Sequence, residues 1–377
     1  MSQSEDLPHV SYMRLHSVWS GIVIVNHVLF AWFLLSIFAR LVADVVSHEP
    51  SFLHGKECEK MKSFIGLVCV IMLLAACTGQ NTEPADGPGV LHQEAGNQTR
   101  PTTDREGFAI SVPDEINRII AIGASNAEII VALGLGNKIV AVDMWSADVQ
   151  GLPAHASTAL DMLNLNAEFV VSLMPDIIFV TGMARAGGTD DPLAPVSSAG
   201  ITIIYMPTST SIDAIMEDIL FIAAVVDRFE AGEAIVLDMQ AEINEIREIA
   251  AGIDISRTVY FEIDHSWMIS FGHGTFLNEM IELVGATNIF GDMEGWFAVS
   301  AEDLLMLNPD VILTSSDFLD DPISEIAGRP GFDALLAVQN GNIHLITANY
   351  SNRPSHNITL ALREIAMAVF PEYFRED

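Results

Sequence analysis

Cysteine is nearly missing from this chain: of 377 residues only Cys58, Cys69 and Cys77 are cysteines, and none follows. That excludes a disulfide framework, a thiolate metal site and a cysteine nucleophile from residue 78 onward. Basic residues are scarce as well, 17 Lys+Arg against 50 Asp+Glu, for a formal net charge of −33. A chain this acidic repels phosphate backbones and anionic headgroups, which argues against a nucleic-acid or polybasic membrane role. No Gly-x-Ser-x-Gly elbow and no phosphate-binding glycine loop occurs, so an enzyme is not expected. The sequence Asp264-His265-Ser266 is no exception, because neighbours along a strand point to opposite faces and cannot form one relay. With 26 Gly and 16 Pro the chain is neither collagen-like nor low-complexity, and 50% apolar residues suffice for one large or two mid-sized domains.

Apolar residues gather at the amino end. An uncharged run over 15–39 is long enough to cross a bilayer. A second run, 64–76, follows Met61-Lys62 and ends Leu74-Ala75-Ala76-Cys77. A basic start, a short apolar core and small residues before the cut make a secretory signal rather than a span. The Leu-Ala-Ala-Cys ending resembles the lipobox of bacterial lipoproteins, so Cys77 is the expected lipidation site and first mature residue. A signal starting at Met61 leaves 1–60 as a leader, either an upstream mis-start or an extra membrane segment. Residues 61–76 are then the signal peptide, and 77–115 the lipid anchor and flexible tether, rich in Pro, Gly, Gln, Asn and Thr up to about 106. Residues 77–377 carry 12 basic and 44 acidic side chains.

From residue 118 short apolar runs alternate with helical patterns. The runs at 119–122, 139–142, 177–181, 201–205, 258–263, 311–314 and 343–346 predict buried strands. Helices are expected at 126–133, 167–173, 194–199, 276–284, 300–307, 325–338 and 356–369. Such alternation predicts an α/β fold with parallel sheets flanked by helices. The two halves also match each other. Glycines bound 123–134 and 274–285, with Glu128 and Glu279 at corresponding places. Glu168 and Glu302 each stand eight residues before the aspartate of a Pro-Asp pair, Pro175-Asp176 and Pro309-Asp310. Between the halves 211–226 and 229–251 both read as helices. The second would span about 35 Å, one lobe's width, so it is expected to join two αβ lobes as a rigid strut with a ligand cleft between them.

Several stretches carry a family resemblance. They are 118–129 (Arg-Ile-Ile-Ala-Ile-Gly-Ala-Ser-Asn-Ala-Glu-Ile), 133–142 (Leu-Gly-Leu-Gly-Asn-Lys-Ile-Val-Ala-Val), 163–168 (Leu-Asn-Leu-Asn-Ala-Glu), 272–276 (Gly-His-Gly-Thr-Phe), 285–290 (Gly-Ala-Thr-Asn-Ile-Phe), 299–302 (Val-Ser-Ala-Glu) and 338–343 (Val-Gln-Asn-Gly-Asn-Ile). In order and spacing, over about 116–374, they resemble the class III substrate-binding proteins of ABC importers for ferric siderophores, haem and cobalamin. The first copy departs from that family's usual Ser-Pro-Ser, having Gly123-Ala124-Ser125. The resemblance implies an amino-terminal lobe over 116–228, an inter-lobe helix over 229–252 and a carboxy-terminal lobe over 253–377. It further implies an extracytoplasmic protein, lipid-anchored to the outer face of the cytoplasmic membrane, that hands a metal chelate to a permease dimer driven by a cytoplasmic ATPase. No resident cofactor is expected; the chelate is cargo. Glu168 and Glu302 match the family's glutamates that pair with permease arginines.

Ligands of open αβ sheets bind beyond the carboxyl ends of the strands. Those loops offer Ser125, Trp145, Met183, Arg185, Trp267, His273 and Arg353, with Trp296 near them, as candidate ligand contacts. Tryptophan buries flat organic surfaces, and a guanidinium fork holds carboxylate or catecholate oxygens. Two other readings remain open: capture of a bare transition metal by His155, His265 and His273 with a carboxylate, and a lipoprotein sensor or structural adhesin on the same fold.

Overall fold

Ile119–Ile122 is buried at every position and forms β1, the middle strand of a five-stranded parallel sheet in the computed structural model. The structure describes residues 100–185 and 191–374. The runs at 15–39 and 64–76, Cys77, the tether up to 99 and the side chains of Met183 and Arg185 lie outside the described residues. β2 (Ile139–Asp143), β3 (Ser157–Leu160), β4 (Ile177–Thr181) and β5 (Thr202–Met206) complete the sheet in the order β3-β2-β1-β4-β5. Parallel strands are joined by crossover helices that cover both faces, which is why β1, β2 and β4 are apolar almost throughout. Ile119 and Ala121 face a core shared with α1 (Ala124–Ile130) and α4 (Ile212–Val225). Ile120 and Ile122 face α2 (Ala167–Ser172) and α3 (Ala194–Ser198), meeting Val170 and Val196.

The second sheet has the order β11-β10-β6-β8 and is also parallel. It is built from β6 (Thr258–Glu262), β8 (Thr287–Asn288), β10 (Val311–Thr314) and β11 (Ile343–Leu345). An antiparallel ribbon, β7 (Ile269–Phe271) with β9 (Trp296–Ala298), stands beside it. Around these lie α6 (Phe276–Leu283), α7 (Ala301–Leu307), α8 (Pro322–Ala327), α9 (Leu336–Gln339), α10 (Ala348–Ser351) and α11 (Ile358–Val369). The helix expected over 325–338 is two helices instead. Gly328, Pro330 and Gly331 separate α8 from α9; Pro330 has no amide hydrogen to give, and Gly331 sits at φ +85°. Strands β3, β7, β8 and β9 were not legible in the sequence, being two to four residues long and partly exposed.

The strut is α5 (Phe229–Ala250), 22 residues and about 33 Å long. Gly232, Val236, Met239, Ile243 and Ile246 form its buried stripe. That stripe belongs with Ile219 and Ile222 of α4 and Val259, Phe261 and Ile365 to one continuous core, and the helix packs against α4 on one side and against α6 and α11 on the other. Gly232 is required by close approach: a Cβ there would lie 2.5 Å from the Ala223 Cβ of α4.

Atomic detail shows the duplication directly. In the first copy Met174, φ +47°, follows the Leu173 cap of α2, and Asp176 accepts from the amides of Asn117 and Arg118 at 2.7 and 2.9 Å. In the second, α7 ends at Asn308, also φ +47°, and Asp310 accepts from the amide of Thr258 at 2.8 Å. Each Pro-Asp aspartate thus clamps the start of the first strand of its own sheet.

Two charged features hold the architecture. Glu262, fully buried in β6, is gripped by both guanidinium nitrogens of Arg329, at 2.6 and 2.8 Å, and accepts from the Tyr260 hydroxyl at 3.2 Å. Burial and the Glu262 carboxylate push the Tyr260 hydroxyl upward in pKa, which keeps it a donor. The stretch 100–115, assigned to the tether by composition, runs along the first lobe. Arg100 pairs with Asp227, Arg105 with Asp218 at 2.8 Å, and Thr202 Oγ1 donates to the Ser111 carbonyl at 2.6 Å. Among the described residues no helix is long and apolar enough to cross a membrane.

Candidate ligand-binding site

In the first sheet the strand order reverses at β1, so the connections after β1 and β4 leave in opposite directions and open a crevice at their carboxyl ends. Asp143, the last residue of β2 and fully buried, organises that end. Its carboxylate accepts from the amide of Gly123 at 2.6 Å, the amide of Trp145 at 2.9 Å and Ser146 Oγ at 2.7 Å. The short turn that results lifts Met144 and Trp145 into solvent, 55% and 58% exposed. Ser125 is half-buried in the first turn of α1.

A similar device operates beyond β6. Asp264 accepts from the Trp267 amide at 3.0 Å, and the turn presents Trp267 at 74% exposure. Asp264, His265 and Ser266 therefore lie in a turn rather than along a strand. His265 Nδ1 is 3.4 Å from Ser266 Oγ, while the Asp264 carboxylate serves the backbone. The His265 ring packs against Phe318 at 5.4 Å between centroids. Phe318 follows β10 and is 66% exposed; the strand-end rule applied to β10 would have marked it, and the sequence reading missed it. Trp296 begins β9 rather than a loop, 48% exposed and edge-on to Phe271 at 5.7 Å. His273 is exposed and bridges to Glu294 between backbones.

Arg353 is placed differently from a free ligand fork. Its guanidinium donates to Glu128 at 3.0 Å, to Asp148 at 2.7 Å and to the Trp145 carbonyl at 3.2 Å. Ser355 and Asn357 donate to the same buried Glu128, and Asn349 donates to Asp148 at 2.6 Å. Against the upward push of partial burial, hydrogen bonds from Arg353 and Asn349 hold the Asp148 carboxyl below its usual range. Arg353 thus ties the Trp145 turn of one lobe to the 349–357 segment of the other. The corresponding glutamate of the second copy crosses in the reverse direction: Glu279 accepts from the Ile212 amide at the start of α4, at 2.7 Å. Burial pushes the Glu279 carboxyl upward in pKa, with that hydrogen bond acting against the push. The two glutamates matched by the internal repeat both reach across between lobes, and the sequence carried no signal of what they would meet.

Glu168 and Glu302 are exposed in the first turns of α2 and α7. Asn166 and Ser300 cap those helices by accepting from the amides of Phe169 and Asp303, at 3.0 and 3.1 Å. His155 is exposed ahead of β3, apart from the aromatic groups. Among the described residues no three His, Cys, Asp or Glu side chains converge as a metal-holding group. The site therefore offers exposed aromatic surface from both lobes, on turns fixed by buried or capped carboxylates, without a relay for bond making.

Comparison with known proteins agrees with this architecture. A family model for periplasmic binding proteins matches residues 119–350. The chain is 25% identical over 324 residues to the uncharacterized ABC transporter substrate-binding lipoprotein YvrC of Bacillus subtilis, covering 84% of this chain and 100% of that protein. It is 27% identical over 257 residues to a vitamin B12-binding protein of Vibrio cholerae, covering 68% and 90%. Among solved structures, a possible iron-binding (periplasmic solute-binding) protein of Staphylococcus epidermidis superposes with a TM-score of 0.60 at 26% identity, covering 68% of this chain and 99% of that one.

Proposed function

This chain belongs to the periplasmic binding protein family, and from that premise we propose that it is the substrate-binding component of an ABC importer. In this reading it is an extracytoplasmic lipoprotein that captures a metal chelate, a ferric siderophore or a cobalamin, and passes it to a permease. The observation that carries the reading is the set of Trp145, Trp267 and Phe318, all more than half exposed on turns that follow strand ends in both lobes. Such rings suit the flat organic surface of a chelate. Bare-metal capture draws no support from the described residues, where no ligand group forms.

The test is a thermal-shift series with cyanocobalamin, haemin and a ferric hydroxamate siderophore, read in parallel by tryptophan fluorescence. A ligand at one hundred times its Kd stabilises the fold by about 2.7 kcal/mol. The expected result is a raised Tm with one probe and quenching by that same probe. A flat response to all three overturns the reading.

Lipid attachment at Cys77 belongs to the same proposal, supported by the Leu74-Ala75-Ala76-Cys77 sequence. Intact mass of the membrane-extracted protein is expected to correspond to a chain beginning at a diacylated Cys77. An unmodified chain starting elsewhere rejects it.

A further inference from the structure

A small hairpin precedes β1, in sequence that composition assigns to the tether. Thr103 and Ala109 pair as an antiparallel bridge. Inside the turn, nearly buried Asp104 accepts from the amides of Glu106 and Phe108 at 3.0 and 2.8 Å, and its own amide donates to the Phe108 carbonyl at 2.8 Å. The turn is thus closed by its own bonds. Arg105 then fastens it to the lobe through Asp218, which is 5% exposed and also accepts from Ser209 Oγ at 2.7 Å.

This fastening fixes where the hairpin stands. Gly182 is the first residue beyond β4 and opens the turn in which ligand contacts are expected. A Cβ on Gly182 would lie 3.6 Å from Glu106 Oε1 and 3.3 Å from the carbonyl oxygen of Met206, the last residue of β5. The hairpin tip therefore rests at the carboxyl ends of β4 and β5, on the side of the sheet where ligands enter. Phe108 is 57% exposed although its backbone is held at both its amide and its carbonyl. One exposed apolar ring is ordinary on a surface. A ring carried at the strand ends on a turn whose backbone is already fixed is placed to meet a ligand without the loop having to order first.

We propose that the 103–109 hairpin is a fixed wall of the ligand cleft and that Phe108 is a specificity-determining contact for the organic face of the chelate. The inference rests on the proposed function and deepens it, since a ring contact rewards an organic ligand and not a bare ion.

The experiment measures Kd for cyanocobalamin, haemin and a ferric hydroxamate siderophore with the wild-type protein, Phe108→Ala and Phe108→Tyr, alongside the Tm of each without ligand. For the probe that binds wild type, Phe108→Ala is expected to weaken binding about tenfold at unchanged Tm, and Phe108→Tyr to stay within twofold of wild type. Binding by Phe108→Ala within twofold of wild type overturns the inference while the function stands. Wild type that binds none of the three overturns the proposed function, and this inference with it.

Discussion

Replacing Glu168 and Glu302 together by arginine is expected to abolish uptake of the ligand while leaving its affinity for the isolated protein unchanged. Both carboxylates are exposed, one on each lobe, in the first turns of helices that the internal repeat makes equivalent. The resemblance implies a dimeric permease, and a two-fold surface is matched best by equivalent groups on both lobes of a monomer. Charge complementarity of this sort sets orientation and encounter rate, and reversing it puts like charges opposite each other at a cost of several kcal/mol. Each glutamate also favours its helix start through the macrodipole, worth about 0.3–1 kcal/mol, so some stability is lost, but far less than would unfold a domain. Whole-cell uptake and Kd measured side by side separate the two roles. Normal uptake by the double variant, with protein at wild-type level, rejects docking through these groups. A matching loss from Glu168→Gln with Glu302→Gln would extend the argument from repulsion to the lost attraction.

A second large effect is expected on stability. Arg329→Ala should destabilise the fold by about 3–5 kcal/mol, because it leaves the carboxylate of Glu262 buried without its cation. Glu262 has no exposed side-chain surface and Arg329 only 12%. The remaining Tyr260 hydroxyl supplies one donor, at 3.2 Å, where two guanidinium nitrogens supplied shorter bonds. For a domain of this size the change corresponds to a fall of roughly 5–9 °C in Tm. Removing both charges with Arg329→Met and Glu262→Leu should recover part of the loss, since an apolar pair of similar volume buries no charge, while the buried Tyr260 hydroxyl loses its acceptor. A Tm drop below about 2 °C in the single variant would show that Glu262 has another source of compensation and would reject the account.

Much of the architecture was legible in the chain because burial leaves a local imprint. Strands covered on both faces must be apolar nearly throughout, and Ile119–Ile122, Ile177–Thr181 and Val311–Thr314 carry that mark. The stripe of Val236, Met239, Ile243 and Ile246 repeats every three or four residues because one face of a long helix meets the core. The Pro-Asp pairs announced the duplication because each must end a helix and clamp a strand start. Short elements with little burial, such as β3 and β8, left no such imprint and could be found only in the folded chain.

The destinations of charged side chains were another matter. From the sequence Arg353 could serve an anionic ligand or an acidic side chain equally well, and the fold pairs it with Glu128, 225 residues away, and with Asp148. The hairpin at 103–109 read as tether because the Pro, Gly, Gln, Asn and Thr around it carry no periodicity, and Arg105, paired with Asp218 and Glu217, helps to seat it on the lobe. A sequence by itself determines which residues must leave water, since that depends on each side chain and its nearest neighbours. Which charges meet, and which aromatic rings stand exposed beyond the strand ends, depends on distances that exist only after the two sheets and their helices have packed, and the tertiary structure alone decided them.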